Sequence, residues 1–574
     1  MTVRPHGPVK QNVPIAPFVL QCDSRIRPAG CRPRRGGTQR RGKVVKHRLV
    51  PLIGAAVLVV GLFAALAPAG AVAKPKPAKF DWRVYLATHG YLPLRGVKTL
   101  ERAKAHAAEM AAALHPEAVA PATAQAPTLG PSWQGTNDTR FTPPDANGAI
   151  GPKSYLEIVN SKIAIYTRSG GLTASALLSV LTGDSNQLSD PTILWDPDTQ
   201  RFYYNVWDIQ TATMRWGFSK TSNPTSIPGS FCNYNASFGY LPANAPDYPK
   251  LGQSKGFLAI GVNFYPTFSS SHATRSDLLW ISKPQGSAPI NTCPAMTKFK
   301  TGKFMNLRNE DGSQAFTPEP AVQTDPSKAG LIVASTDIEC PDICGSGMKI
   351  SVYQLKPKKG NPSVPTLSKP QSITVKAFSS PPDAPQKGSA TPIDTLDGRL
   401  MRAVSGVDPR IGSTVIWVAH AVLGGAGSQV TWYEIKASPA SNPTIAQSGV
   451  VKSNKLYVYD PGISPDRTVN PNGSAHGRNM VVGFTTSSAN AFTAAQMVSK
   501  IGAAAQSAFV KVHASTVADT NFGCSQLGVC RWGDYGGASA DPAAKLGAAN
   551  GSVWLSNQLT SGSADITWNW QAHP

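Results

Sequence analysis

Charged residues are scarce in this sequence, at 15% of 574 residues. Such a low content is not that of a charge-rich disordered chain. The sequence also lacks an H-E-x-x-H zinc motif, a Walker phosphate loop and a dinucleotide fingerprint. No basic patch interleaved with aromatic residues stands out, so we expect no nucleic-acid partner. These absences argue against the metalloprotease, nucleotide-dependent and nucleic-acid-binding classes.

Long helical patterns are rare too, whereas glycine (51) and proline (49) are abundant. From Pro144 onward, short runs of Val, Ile, Tyr, Trp and Phe alternate with Gly, Pro, Asn, Asp and Ser, which is typical of strands and turns. One stretch there, residues 489–508, fits a helix or strands equally well. The sequence therefore predicts an all-β fold over most of its length.

The first 73 residues resemble a leader followed by a secretory signal peptide. Basic residues at 43–48 precede an apolar run at 49–67, and Ala71-Val72-Ala73 ends it. We predict cleavage before Lys74 and a secreted, extracellular protein; the alternative is a membrane anchor formed by residues 49–67. Residues 1–73 carry 12 of the 55 Lys and Arg and one of the 33 Asp and Glu, so their removal lowers the formal charge from +22 to +11. A basic surface favours anionic glycans, cell-wall polymers or acidic lipids.

Residues 74–131 are predicted to form a helical appendage and a linker. Good helix formers run from Val97 to Leu114, and His115-Pro116 ends the pattern. The apolar positions at helical spacing are Leu100, Ala103, Ala107, Met110, Ala111 and Leu114. A Pro/Ala-rich linker follows at 116–131, so this region is an appendage, a pro-segment or a spacer.

The strand-rich region repeats a unit that begins with a turn and continues with an apolar strand and a Trp- or Tyr-bearing strand. The seven copies start at Asp145, Ser189, Asp247, Phe316, Arg399, Gly462 and Trp532. A small sheet cannot bury both of its faces alone, so such units pack side by side and close radially. We predict a β-propeller over residues 132–574, of seven blades with six or eight as alternatives. Two β-sandwiches joined end to end are the competing architecture.

Six of the eight cysteines follow the predicted cleavage site. An even number in an exported chain predicts disulfides, and proximity suggests Cys340–Cys344 and Cys524–Cys530. Elimination then leaves Cys232–Cys293. A zinc site at Cys340 and Cys344 is the alternative, although no histidine lies near them.

Several stretches carry a resemblance to a loosely described group of secreted bacterial propeller proteins of unknown function. They are Pro144–Pro152 with Asn160-Ser161, Ser219–Pro224, Asp247–Gly252, Leu396–Leu400 and Arg531–Tyr535. The resemblance covers about residues 140–574 and implies the propeller fold. By general form the chain is also similar to sialidase-type propellers. It departs from them because it has no Ser-x-Asp-x-Gly-x-Thr-Trp box and no evident arginine triad.

Propeller ligands usually meet the mouth of the central channel, where the innermost strands start. The residues expected there are Asp190, Asp247, Tyr248, Glu319, Arg399, Arg402, Asp466, Arg531, Asp534 and Tyr535. The catalytic hypothesis assigns acid, base and nucleophile roles among Asp190, Asp247, Glu319, Asp534 and Tyr535. Ligand binding is assigned to Tyr248, Arg399, Arg402 and Arg531. A second hypothesis gives Asp190, Asp247, Glu319 and Asp534 to a central Ca²⁺. The structural alternative uses these acids as turn caps and the arginines as stacking groups.

Our leading functional expectation is a secreted, monomeric propeller that binds an extracellular glycan or cell-wall polymer. The alternatives are a sialidase-like glycoside hydrolase or lyase acting at the channel mouth, and a protein-interaction scaffold at the cell surface. The scaffold is favoured if residues 49–67 stay uncleaved, and the membrane would then be met only through that segment. No cofactor other than calcium is suggested.

Overall fold

The computed structural model describes residues 97–114, 124–138, 141–242, 244–266, 273–325, 329–336, 347–437 and 442–574. The predicted signal peptide and the predicted Cys340–Cys344 pair lie outside these residues. No helix within the described ranges is long and apolar enough to cross a membrane.

Seven sheets of four or five strands follow one another along the described chain. The innermost strands are β2 (Asn147–Ile150), β6 (Leu188–Asp196), β10 (Ala245–Ser254), β14 (Ala315–Pro320), β22 (Met401–Asp408), β26 (Tyr457–Pro465) and β32 (Gly537–Ala540). The second strands are β3 (Ser154–Val159), β7 (Arg201–Asp208), β11 (Phe257–Tyr265), β16 (Gly330–Thr336), β23 (Ser413–Gly424), β29 (Met480–Ser488) and β33 (Val553–Thr560).

In each sheet, the third and outermost strands continue the antiparallel pairing. The third strands are β4 (Lys162–Thr167), β8 (Thr213–Ser219), β12 (Arg275–Ser282), β17 (Gly347–Lys358), β24 (Gly427–Lys436), β30 (Ala491–Lys500) and β34 (Asp565–His573). The outermost are β5 (Leu172–Leu177), β9 (Phe231–Ala236), β13 (Thr301–Phe304), β18 (Asn361–Leu367) with β19 (Gln371–Phe378), β25 (Thr444–Val451), β31 (Val510–Ala514) and β1 (Thr128–Asp138). The prediction of seven blades is confirmed.

Short elements complete the chain. They are β15 (Val322–Gln323), the hairpins β20 (Ala384–Gln386) with β21 (Ser389–Ile393) and β27 (Thr468–Val469) with β28 (Ala475–His476), helices α1 (Val97–Ala112), α2 (Leu178–Thr182) and α3 (Phe522–Leu527), and a 3-10 turn at Met296–Lys298. The ambiguous stretch 489–508 therefore contains strand β30 rather than a helix.

An apolar cluster fills each of the seven seams between neighbouring blades. In the seam between blades five and six, for example, Trp417 and Trp432 pack with Val482. Successive side chains of a strand point to opposite faces, so a strand with apolar residues on both faces needs a neighbour on each side. The radial arrangement supplies both neighbours, which explains why the blades close into a ring.

The first strand of the described propeller closes this ring. β1 pairs antiparallel with β34, so the outermost strand of blade seven comes from the other end of the chain. Its Trp133 ring lies 5.6 Å from Tyr155 and 5.9 Å from Trp554, which joins blades one and seven. The strand begins at Thr128, so residues 128–131 of the predicted linker belong to the propeller.

Two predicted disulfides are confirmed. Cys232 and Cys293 are bonded at 2.05 Å, and Cys524 and Cys530 at 2.06 Å. The second bond lies at α3, beside the segment that leads into blade seven.

Candidate functional site: the entry end of the channel

Six inner strands have a residue in the left-handed backbone region at or just before their first few positions. These residues, with φ from 32° to 59°, are Asp145, Asp190, Tyr248, Thr317, Arg402 and Asp460. Five of them stand at a register shift of their strand, as expected of a bulge that redirects a side chain. Non-glycine residues rarely adopt this backbone, and it recurs here at the same place in successive blades. We call this end of the channel the entry end.

The entry end is spanned by contacts between blades three and seven. The rings of Tyr248 and Tyr535 stack with centroids 5.1 Å apart. The Lys250 ammonium lies 3.8 Å from the Tyr248 centroid and 3.6 Å from that of Tyr535. It also donates a hydrogen bond of 2.9 Å to the backbone carbonyl of Asp534, which accepts from the Tyr248 hydroxyl too. The Tyr535 hydroxyl donates to the carbonyl of Pro249 at 3.2 Å.

Side chains from blade five pack against this contact. Leu396 and Met401 form one buried cluster with Tyr248 and Tyr535. All four side chains are 6% exposed or less. We call the five residues Tyr248, Lys250, Leu396, Met401 and Tyr535 the plug. The protein's own side chains therefore fill the place where the sequence predicted an open ligand site.

Lys250 is the titratable centre of the plug. Burial lowers its pKa to about 8, and the nearby carboxylates of Glu319 and Asp534 act in the opposite direction. Desolvation disfavours the ammonium form, and only part of this cost is offset by the two ring faces and the carbonyl. The sequence pattern did not single out this lysine.

The predicted ligand-binding arginines are already paired. Arg399 binds Asp397 through its Nε at 2.7 and 2.9 Å and through its Nη2, and its guanidinium lies 4.2 Å from the Tyr248 ring centroid. Arg531 contacts Asp534 at 2.5 Å and Asp394 at 3.2 Å.

Arg402 is held differently, because its Nε donates to the carbonyl of Ala538 at 3.0 Å, while its buried Nη2 has no hydrogen bond. The guanidinium groups of Arg399 and Arg531 are therefore not available to clamp a ligand. In Arg402, Nη2 is the buried nitrogen that still has no hydrogen-bond partner.

The predicted acids occupy different surroundings. Asp190 accepts from the Ser189 hydroxyl at 2.5 Å and from the Tyr248 backbone N–H at 3.2 Å. Asp247 stands in β10 opposite Asn263.

Glu319 accepts from the backbone N–H of Ala403 at 3.3 Å, and its second oxygen is buried without a hydrogen bond. Burial raises the pKa of Glu319 and of Asp534, although Lys250 and Arg531 respectively oppose the rise.

Asp460 and Asp145 belong to the entry end but were missed in the sequence. Both carboxylate oxygens of Asp460 are buried without a hydrogen bond, and burial raises the pKa of Asp460 well above its usual range. One oxygen of Asp145 accepts from Asn160 at 2.7 Å while the other has no partner. A signal was present for Asp460, because a proline follows the left-handed residue in four blades, at positions 191, 249, 318 and 461, whereas Asp145 is followed by alanine.

Asp466, expected at the mouth, lies elsewhere. It follows the last residue of β26, so it lies at the opposite end of the inner strand from Asp460. Its carboxylate accepts from the backbone N–H groups of Arg478, Asn479 and Gly551. Asp466 is therefore a loop cap, which corrects its predicted place.

The geometry gives the calcium hypothesis no added support. Among the described residues, one group of three His, Cys, Asp or Glu side chains brings its ligand atoms within 4.8 Å of one another, namely Asp519, Cys524 and Cys530. Its two sulfurs are joined in a disulfide. The predicted ligands Asp190, Asp247, Glu319 and Asp534 do not form such a group.

A hairpin carries a sequence that matches the nucleophile-elbow spelling G-x-S-x-G. Gly252-Gln-Ser254-Lys-Gly256 joins β10 to β11, whereas the elbow needs a strand-to-helix turn. Ser254 is fully buried and cannot present a nucleophile.

An open groove lies between blades three and four. It has a volume of about 580 Å³, and its floor includes Phe304, Leu307 and Tyr353. Exposed Arg308, Glu310 and Lys369 form part of its rim. An apolar floor with a few polar groups at the edge is the usual character of a ligand site. The sequence showed no sign of this groove, because its residues come from four strands and two loops.

The chain matches no protein-family profile, and no curated protein matches it by sequence. Solved structures of similar fold include a Trypanosoma rangeli sialidase in complex with the inhibitor DANA. That pair has 9% identity and a TM-score of 0.34, and the match covers 77% of this chain and 60% of the sialidase. An exo-1,5-α-L-arabinanase from a bovine ruminal metagenomic library has 10% identity and a TM-score of 0.24, with 53% of this chain and 96% of that chain covered.

A Synechocystis apocarotenoid oxygenase mutant has 10% identity and a TM-score of 0.33, with 64% and 71% covered. The chain spans about three fifths of the length of the sialidase structure that it matches. At these values the likeness concerns the fold alone. By its own sheet order, the chain is a seven-bladed β-propeller.

Proposed function

We propose that this protein is an extracellular propeller that binds a glycan or cell-wall polymer without cleaving it. The observation that carries the proposal is the filled entry end. The plug residues and the paired arginines Arg399 and Arg531 occupy the volume that a substrate would need. Retaining and inverting glycosidases both need two carboxyl groups that flank an accessible sugar.

The groove between blades three and four is the better place for a polymer. Its apolar floor suits the C–H faces of sugar rings, and Arg308, Glu310 and Lys369 offer charged hydrogen-bonding groups at the rim. The net positive charge of the chain favours an anionic polymer.

The test begins with a glycan array and continues with groove variants. We expect the double variant Arg308→Ala/Lys369→Ala to bind an array hit at least about tenfold more weakly, since each lost charge-assisted hydrogen bond contributes about 1.5–3 kcal/mol. The matched control is Lys359→Ala, an exposed lysine outside the groove. Unchanged binding by the groove variant would refute the groove as the site.

A lyase at the entry end is the second candidate, and Lys250 favours it. An amine with a pKa of about 8 next to a tyrosine is suited to abstract a proton at neutral pH. This candidate requires the plug to open. It predicts that the protein releases unsaturated products from a uronic acid polymer and that Lys250→Met abolishes their release.

A further inference from the structure

Among the described side chains of helix α1, one buried lysine makes polar contacts with the propeller. Lys104 is 7% exposed, and its ammonium lies 2.7 Å from the Thr395 hydroxyl, 2.9 Å from Asp383 and 3.5 Å from Asp394. Of the predicted apolar stripe, Ala107 is buried, whereas Met110 and Leu114 are 47% and 37% exposed. The cation therefore anchors the helix, and the large apolar side chains at its end do not.

From residue 103 onward, where the side chains of α1 are described, the other docking contacts are weak. Among its described side chains, those facing the propeller besides Lys104 are the small residues Ala103, Ala107 and Ala111. Alanine buries little apolar surface, at about 0.8 kcal/mol per CH₂ group. The helix also has no acidic residue in its first turn and no basic residue in its last turn. An isolated helix of 16 residues is marginal in water, so α1 depends on its docking contacts.

The pocket that receives Lys104 is built by the propeller without help from the helix. Asp383 and Asp394 flank the two strands of the β20–β21 hairpin, and Ala384 is paired with Ile393 at its base. Ala384 and Ile393 are fully buried with Trp532, Cys524 and Cys530. The backbone N–H of Asp394 donates to the carbonyl of Cys530 at 2.9 Å. Two carboxylates and a hydroxyl are thus held together on a rigid support.

This arrangement is connected to the entry end. Asp394 accepts from Arg531, which also binds Asp534, and the carbonyl of Asp534 accepts from Lys250 and Tyr248 of the plug. Burial and the neighbouring Asp394 raise the pKa of Asp383, while Lys104 lowers it. The acid pair therefore favours a cation at this place.

We propose that Asp383, Asp394 and Thr395 form a binding site for the primary ammonium group of a lysine side chain, and that α1 is a displaceable cover that fills the site with Lys104. The occupant that fits best is a lysine on an alanine-faced helix, as in α1 itself. The ligand class is therefore a lysine-bearing polypeptide segment that competes with α1. This site is independent of the glycan groove.

The direct test is chemical rescue of the full-length Lys104→Ala variant. Removal of the cation leaves the Asp383 carboxylate without its ion-pair partner, while Asp394 stays paired with Arg531, so we expect hydrogen exchange of residues 97–112 to rise at least tenfold and the melting temperature to fall by several degrees. n-Butylamine should restore both in this variant and leave the wild-type protein unchanged. Equal concentrations of sodium chloride or tetramethylammonium should not restore them, because neither donates hydrogen bonds. The exposed-site variant Glu109→Gln is the control and should behave as wild type.

Two further variants separate the cover from the pocket. In Ala107→Trp the pocket acids and Lys104 remain, but the close contact of the helix is blocked. We expect this variant to bind a short alanine-rich peptide with one central lysine. The double variant Ala107→Trp/Asp394→Asn should bind the same peptide at least tenfold more weakly. The proposal fails if butylamine does not rescue Lys104→Ala, if Ala107→Trp binds the peptide no better than wild type, or if exchange in the blades rises by as large a factor as that of α1. A glucosamine oligosaccharide that binds in place of the peptide would also overturn it.

Discussion

Asp460 shows how a single residue at the entry end affects stability. Its carboxylate is 3% exposed and has no hydrogen bond to another described residue, and burial raises its pKa well above the usual range. Because its pKa is higher in the folded than in the unfolded state, the protein loses stability as the pH rises from the unfolded-state value, near 4, toward the folded-state value.

We therefore expect Asp460→Asn to stabilise the protein at pH 8, because an amide cannot ionise in the unfolded state, and each unit by which burial raises the pKa of Asp460 corresponds to about 1.4 kcal/mol. At pH 4 the gain should be small, since the wild-type carboxyl is then neutral in the folded state and only about half ionised in the unfolded state. Urea denaturation at the two pH values measures the difference. A variant that is less stable than wild type at pH 8 would show that Asp460 has a stabilising partner.

Gly533 is required by the position of Asp460. A Cβ atom at residue 533 would lie 2.3 Å from the Asp460 Cγ, and the φ of Gly533 is +33°. Gly533→Ala should destabilise the protein by at least about 1–2 kcal/mol, from left-handed backbone strain alone. Gly547→Ala is a matched control, because its φ is also positive while its Cβ would meet nothing within 4 Å. Equal losses in thermal or urea unfolding would show that the contact with Asp460 adds nothing.

At the scale of elements, β1 is the strand on which ring closure depends. Trp133 packs on Tyr155, Tyr166 and Trp554 across the seam between blades seven and one. Trp133→Ala should cost about 2–4 kcal/mol, near the lower end of the range for large aromatic residues because the ring is only partly buried. The neighbouring exposed residue serves as the control, and Gln134→Ala should change the unfolding free energy by less than about 0.5 kcal/mol. Similar losses from the two substitutions would mean that the seam does not depend on this ring.

The elements were more predictable than the contacts between them. Alternating strands, Gly and Pro turns and the seven starting positions are local features, and they indicated the propeller and its blade number. The residues 128–131 were assigned to a linker because their Pro and Gly hide an edge strand whose partner, β34, is more than 400 residues away. Lys104 was missed because a helical stripe is normally apolar, and here a charged residue is buried instead.

The contacts within the candidate site could not be predicted from the sequence. Some of the expected residues do touch one another, namely Tyr248, Arg399, Arg531, Asp534 and Tyr535. Tyr248 and Asp534, however, are 286 residues apart in sequence, and no local pattern reveals that they touch. For the same reason, the sequence could not indicate that the arginines are paired or that the plug fills the mouth.

At the scale of the whole molecule, the ring presents an open groove at one seam and a filled channel entry. These two features lead to the central claim, which is binding without turnover. The net positive charge of the chain supports an anionic polymer as the ligand. Added salt should therefore weaken the binding, because at physiological ionic strength salt already screens the interaction between exposed charges beyond about 8 Å.

The most direct test incubates the purified protein with a polymer that it binds on a glycan array and follows both binding and the release of reducing ends or unsaturated products. We expect stable binding with no product release, and we expect Arg308→Ala/Lys369→Ala to weaken the binding while Tyr535→Phe leaves it unchanged. Product release that is lost in Tyr535→Phe, Asp534→Asn or Lys250→Met would contradict this expectation and would assign the activity to the entry end.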